Sequence, residues 1–245
     1  MARLTGNGAA NRINGTALAD SIFGRDGEDT LRGNGGNDSI YGGDDDDAIF
    51  GGAGADLIVG GKGEDRMHGD GGNDVMRDES GNDFMSGGGG HDRIHAGEGN
   101  DTVRGGGGAD TVYAGSGNDR VILGAGNDHA VGGEGDDVLI GNSGADRLIG
   151  GEGNDVLNGG SGNDRLTGNE GADRFVFNGG RDVITDFEPG DDDLDLRSWN
   201  GLDSWSDVSN RFRQVGDDVH VVIGDHRVIL EDTRIGQIDR DDVIW

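Results

Sequence analysis

The sequence predicts an all-β chain: a two-sheet parallel coil with 18 residues per turn, closed at its C-terminal end by a small capping region of short helix plus β-hairpin. Three observations carry this. Aspartate recurs every nine residues from Asp20 to Asp182, an apolar residue follows each of these aspartates by two positions, and glycine fills much of the remainder. With 54 Gly in 245 residues and only 31% hydrophobic, an ordinary mixed core is excluded.

The apolar row runs Ile22, Leu31, Ile40, Ile49, Ile58, Met67, Met76, Met85 and onward to Phe175 and Ile184, with Ala130 as its one small member. It extends backward through Ile13 to Leu4, so the repeat begins almost at the first residue. Each unit therefore reads as a glycine-rich loop followed by a short strand with its apolar residue at the centre. Two residues before the aspartate, Gly holds every position from Gly27 to Gly180 except Asp45. Glycine there permits positive φ and close backbone approach. A strand so short cannot stand alone and must stack on its equivalents. Nine residues make one strand and one turn, so two units return the chain above its start. At about 4.8 Å per turn the stack is a rod on the order of 50 Å long. Residues 1–186 form this coil and residues 187–245 the end region.

In such a coil every second loop stacks, and the aspartates form two columns. One runs Asp29, Asp47, Asp65, Asp83, Asp101, Asp119, Asp137, Asp155 and Asp173; the other runs Asp38, Asp56, Asp74, Asp92, Asp110, Asp128, Asp146, Asp164 and Asp182. Carboxylates at that spacing repel unless cations lie between them, and the chain as a whole carries a formal charge of −29. Ca2+ suits the gaps, because it accepts six to eight oxygens in flexible geometry; Mg2+ keeps its waters and demands an octahedron. Loop carbonyls supply further oxygens, with Gly51, Gly52, Gly54, Gly60, Gly61, Gly63, Gly105, Gly106, Gly108, Gly132, Gly133, Gly135, Gly150, Gly151, Gly153, Gly159, Gly160 and Gly162 as candidates. Eight gaps per column give about 16 ions, whose charge would balance that of the chain.

Units such as Gly51-Gly52-Ala53-Gly54-Ala55-Asp56, Gly132-Gly133-Glu134-Gly135-Asp136-Asp137 and Gly150-Gly151-Glu152-Gly153-Asn154-Asp155 follow a GGxGxDxUx pattern, with U apolar. This closely resembles the calcium-binding nonapeptide of RTX (hemolysin-type) proteins. The resemblance implies a parallel β-roll that holds Ca2+ between loops through the Asp carboxylates and loop carbonyls. Some units depart from the pattern. The loop at residues 78–83 lacks both leading glycines, which puts the gaps beside it in doubt. Ala96, Ala114 and Leu123 replace the first glycine in three others, for weaker binding or a different backbone angle.

After Arg181 the rhythm ends, and around this point larger apolar residues, Phe175, Phe177, Phe187, Leu194 and Leu196, suit a cap over an open end. Leu202, Trp205, Val208 and Phe212 are spaced for a short helix, with Ser204 and Asp207 as a capping box. Residues 218–232 read as a hairpin turning at Gly224-Asp225-His226. The segment is similar to the tail of RTX exoproteins, where an uncleaved C-terminal signal is recognised by type I secretion machinery. The acidic-then-apolar ending at residues 241–245 fits that signal and fits equally the last strand of the cap.

Composition removes several functions. A single Lys (Lys62) and scattered Arg offer no basic face for nucleic acid. Without cysteine there is no disulfide, thiol catalysis or Cys-based metal site. No apolar run reaches the length of a membrane span or an N-terminal secretory signal. His91 and His95 lie four apart, but Asp92 and Ile94 are in repeat phase, so they do not share a helix face as a zinc pair would. No nucleophile elbow or phosphate loop occurs. Position three after the aspartate carries Phe23, Tyr41, Val59, Tyr113, Val131 and Ile149, interrupted by Arg77 and His95. This outward apolar stripe offers a docking surface for a protein or surface partner.

The reading that follows is a secreted, calcium-dependent, non-enzymatic structural or binding protein of a bacterium, extracellular or on the cell surface, whose folding is coupled to calcium. An alternative is the calcium-binding and secretion module of a larger RTX protease, lipase or epimerase; the initiating Met and the smooth entry at Leu4 favour the first reading. An adhesive or ice-binding roll ranks lower, because the loops present no Thr row.

Overall fold

The computed structural model describes all 245 residues. Consecutive strands fall alternately on two parallel sheets, the first from Arg3–Thr5, Ser21–Asp26 and Ser39–Asp44 onward, the second from Arg12–Asn14, Thr30–Gly35 and Ala48–Ala53 onward. Through Ile184 every strand pairs with the one 18 residues away, as Ile22 with Ile40 and Ile40 with Ile58. The result is a parallel two-sheet β-solenoid of about 11 turns with almost no helix.

The side chains two after each aspartate point inward, because alternate residues of a strand face opposite sides of its sheet. From Ile22 to Ile184 they are all buried and form one continuous thin core. Leu4 and Ile13, at the first rung described, are half-buried and pack against the end of this core.

Most strands are six residues long, where three were expected. The leading glycines of the next loop stay in extended pairing, as Gly43 with Gly61 and Gly115 with Gly133, before the chain turns. The strands at Val75–Arg77, Val156–Asn158 and Arg174–Val176 are the short ones in the middle and late turns.

Residues after Ile184 extend both sheets. Asp193–Asp195 pairs with Arg174–Val176 at a spacing of 19 (Arg174 opposite Asp193), and Val243–Ile244 then pairs with Leu194 and Asp195. On the other sheet His226–Leu230 adds in parallel to Arg181–Ile184 and continues antiparallel through Asp218–Ile223 to Phe212–Val215. The expected hairpin is present, turning at Gly224 with φ 63°. The expected helix is one turn, Trp205–Ser209. Ser204 accepts from the Asp207 amide at 3.3 Å and its hydroxyl donates to the Asp207 carboxylate at 2.7 Å, so the capping box closes through the two side chains and not onto the Ser204 amide.

Candidate metal centres

The repeat aspartates lie inside the turns, each no more than 3% exposed. Their two oxygens have different fates. Oδ1 accepts the backbone N–H of the aspartate one turn earlier, as in Asp56 to Asp74 and Asp119 to Asp137, at 2.8 and 2.7 Å. Oδ2 of every repeat aspartate from Asp29 to Asp173 is buried with no hydrogen-bond partner. A buried carboxylate oxygen without a donor is costly. A row of them is the chemistry of a hard-cation site, since Ca2+ takes just such oxygens.

The first glycine of each loop faces inward, in phase with the apolar row, and leaves a hollow. A Cβ on Gly51 would sit 2.5 Å from Asp56 Oδ2 and 2.8 Å from the Gly69 carbonyl oxygen; on Gly105, 2.6 Å from both Asp110 Oδ2 and the Leu123 carbonyl oxygen. The hollow is thus faced by one carboxylate and one carbonyl oxygen, and these residues fit a calcium ion. The carbonyl oxygens of Gly60, Gly105, Gly150 and Gly159 face the same hollow from the next turn, beside Gly42, Gly87, Gly132 and Gly141. Among the other candidate carbonyls, those of Gly106 and Gly133 point at the glycine one turn on and hold the loops in close register, whereas that of Gly61 accepts the Glu79 and Ser80 amides.

Backbone angle is a separate requirement, met one position later. The second and fourth loop positions take positive φ, for example 138° at Gly151 and 122° at Gly153. Asn34, Asp70, Asn142 and Asn169 hold the second position at φ 72° to 74°, and Asp45 the fourth at 77°. Asn and Asp tolerate this region better than other side chains. The first position keeps an ordinary φ, so Ala96, Ala114 and Leu123 do not need a different backbone angle as expected; they fill space and are fully buried.

Without a cation the columns oppose ionisation. Burial pushes Asp65, Asp74, Asp101, Asp137, Asp155 and Asp182 up to about 7, opposed by the backbone N–H each accepts and reinforced by neighbouring aspartates. Asp20 is the contrast: the amides of Ala2 and Thr16 hold it below the usual carboxylate range.

The two ends of the columns differ from the middle. Asp182 Oδ1 accepts the Asp164 amide at 3.1 Å, and Phe177 stands where its leading glycine would be. Asp192, absent from the sequence reading, continues the column beyond Asp173: its Oδ1 accepts the Asp173 amide at 2.9 Å and its Oδ2 the Glu188 amide. Its spacing of 19 hid it from a search at period nine.

The histidines are structural. His91 Nδ1 accepts from the Ala109 amide, and His95 stacks on Tyr113 with ring centroids 4.8 Å apart. The outward apolar stripe is mostly half-buried by its own stacking, as Phe23 on Tyr41 at 5.1 Å. On the other sheet Arg32 covers the Phe50 ring at 4.4 Å and Phe50 stacks on His68, a ladder that the repeat phase did not reveal.

This fold and these columns define a class, the calcium-binding solenoids built on nonapeptides. The family model for the RTX calcium-binding nonapeptide repeat matches in overlapping stretches across residues 5–184. The chain belongs to that family, whose repeats imply calcium binding. No curated protein matches it. Among solved structures, the extracellular lipase LipA from Serratia marcescens is similar over 85% of this chain and 40% of its own, at 22% identity and a TM-score of 0.41. The chain therefore spans less than half the length of that lipase chain. No helix is long and apolar enough to cross a membrane.

Proposed function

We propose that the protein is a secreted, non-enzymatic structural or binding protein whose folding is coupled to calcium. The observation that carries the reading is the unbroken series of buried, partnerless Oδ2 oxygens from Asp29 to Asp173. Bound calcium would supply the positive charge that these oxygens lack. The chain's own residues do the rest: Oδ1 sets the register of successive turns, the leading glycine keeps the hollow open, and positive-φ glycines bring the loops together.

On this reading about 16 ions fill the two columns. The chain is unfolded where calcium is scarce, because the stacked aspartates within each column repel one another, and folds where it is plentiful. That suits export through type I secretion machinery followed by folding outside the cell. Residues 187–245 act as the cap, and the terminal strand Val243–Ile244 lies within the segment that would be read as the signal.

Circular dichroism of the full chain in EDTA and in millimolar calcium tests this. The expected outcome is a disordered spectrum that converts to β-structure on adding calcium. The same β-spectrum in both would overturn it.

A further inference from the structure

One loop breaks the pattern in a way that adds chemistry. At residues 78–83 Asp78 and Glu79 stand in place of the two leading glycines. The strand before it stops at Arg77, and Glu79 and Ser80 both donate to the Gly61 carbonyl oxygen. The Gly61 amide in turn donates to Asp78 Oδ1 at 2.6 Å, which draws the Asp78 carboxylate into the gap beneath.

There it meets the column. Asp65, Asp78 and Asp83 each bring a carboxylate oxygen within 4.8 Å of the others. Asp65 and Asp83 are each 2% exposed, and Oδ2 of all three residues is buried without a partner. A Cβ on Gly60 would meet Asp65 Oδ2 and Asp78 Oδ1, so the hollow faced elsewhere by a carboxylate and a neutral carbonyl is here faced by two carboxylates. No basic side chain compensates them: nearby Lys62 pairs with Asp44 at 3.2 Å.

We propose that the gap between residues 60–65 and 78–83 is a three-carboxylate cation site, distinct from every other gap of the roll, in which Asp78 supplies an extra anionic ligand. It rests on the calcium-binding reading of the roll. Affinity in oxygen-ligated sites rises with ligand charge, so this gap holds calcium about tenfold or more tighter than its neighbours and selects a trivalent ion over a divalent one. If Asp78 were only a tolerated defect, three crowded carboxylates would make this the weakest gap.

The test uses the calcium-loaded full-length chain with one equivalent of Tb3+, crystallised and measured at the terbium absorption edge. The expected result is one dominant anomalous peak among Asp65, Asp78 and Asp83. In Asp78→Gly, which restores the leading glycine, and in Asp78→Asn, which keeps the shape without the charge, the peak should disperse over other gaps. A wild-type peak elsewhere or spread evenly, or one unmoved by both substitutions, overturns the proposal. When the wild-type circular dichroism responds to calcium, such a result overturns this site alone. A chain with no calcium response overturns the reading of the whole roll and this site with it.

Discussion

The backbone N–H of Asp137 donates to Oδ1 of Asp155, one turn on, at 2.8 Å, while Oδ2 of Asp155 is buried with no partner. One oxygen locks the register of the stack and the other is left for a cation. Because Asp173 receives the Asp155 amide in the same way, each aspartate borders two gaps.

Asp155→Asn separates the two jobs. The amide oxygen can still accept from Asp137, but the charge is gone. Calcium counted per folded chain by atomic emission should fall by about one or two ions, with the β-spectrum in saturating calcium unchanged. An unchanged ion count would remove Asp155 from the ligands.

Two glycine substitutions should behave oppositely. Gly51→Ala puts a Cβ 2.5 Å from Asp56 Oδ2 and should destabilise the calcium-loaded roll by about 1–3 kcal/mol. Gly89→Ala meets nothing within 4 Å at an ordinary φ and should be neutral or stabilise by about 0.4–1 kcal/mol. Thermal unfolding of both variants in saturating calcium checks the pair.

Acid should partly substitute for calcium. Burial raises Asp101 and Asp155 in the folded chain to about 7, against an unfolded value of about 3.9. The folded form then binds protons more tightly, so this contribution is fully present below about pH 3.9 and is lost as pH rises through about 7. In EDTA, β-structure should appear as pH falls from 8 towards 4. A spectrum independent of pH over that range would contradict it.

Removing residues 240–245 should loosen the end of the roll. The deletion takes away the strand Val243–Ile244 and the Asp242 oxygen that accepts the Gly190 amide at 2.7 Å, and uncovers Leu194. Burial of Val243 and the lost hydrogen bonds together suggest a cost of about 2–4 kcal/mol, read by thermal unfolding in saturating calcium.

Much of this was legible without coordinates. The phase of Asp20 and Ile22, carried to Asp182 and Ile184, implied two sheets and a pairing of 18 residues. Gly224-Asp225 marked its hairpin and Ser204 its helix, because turn and cap chemistry is local. Asp192 was missed because the chain slips by one residue beyond Asp173, and period alone cannot follow a slip. Arg32, Phe50 and His68 were missed as a ladder because they differ in type and share only a position.

The nine-residue period by itself determined the two sheets, the inward apolar row and the two aspartate columns, since strand alternation and stacking leave no other arrangement for so regular a chain. Only the tertiary structure decided which oxygen of each carboxylate is bonded and which is bare. Oδ1 and Oδ2 are identical until a neighbouring turn's amide reaches one of them. The same contact between turns made Asp78 a member of a three-carboxylate cluster where the sequence showed only a missing glycine, because what fills an empty position depends on what lies across the gap.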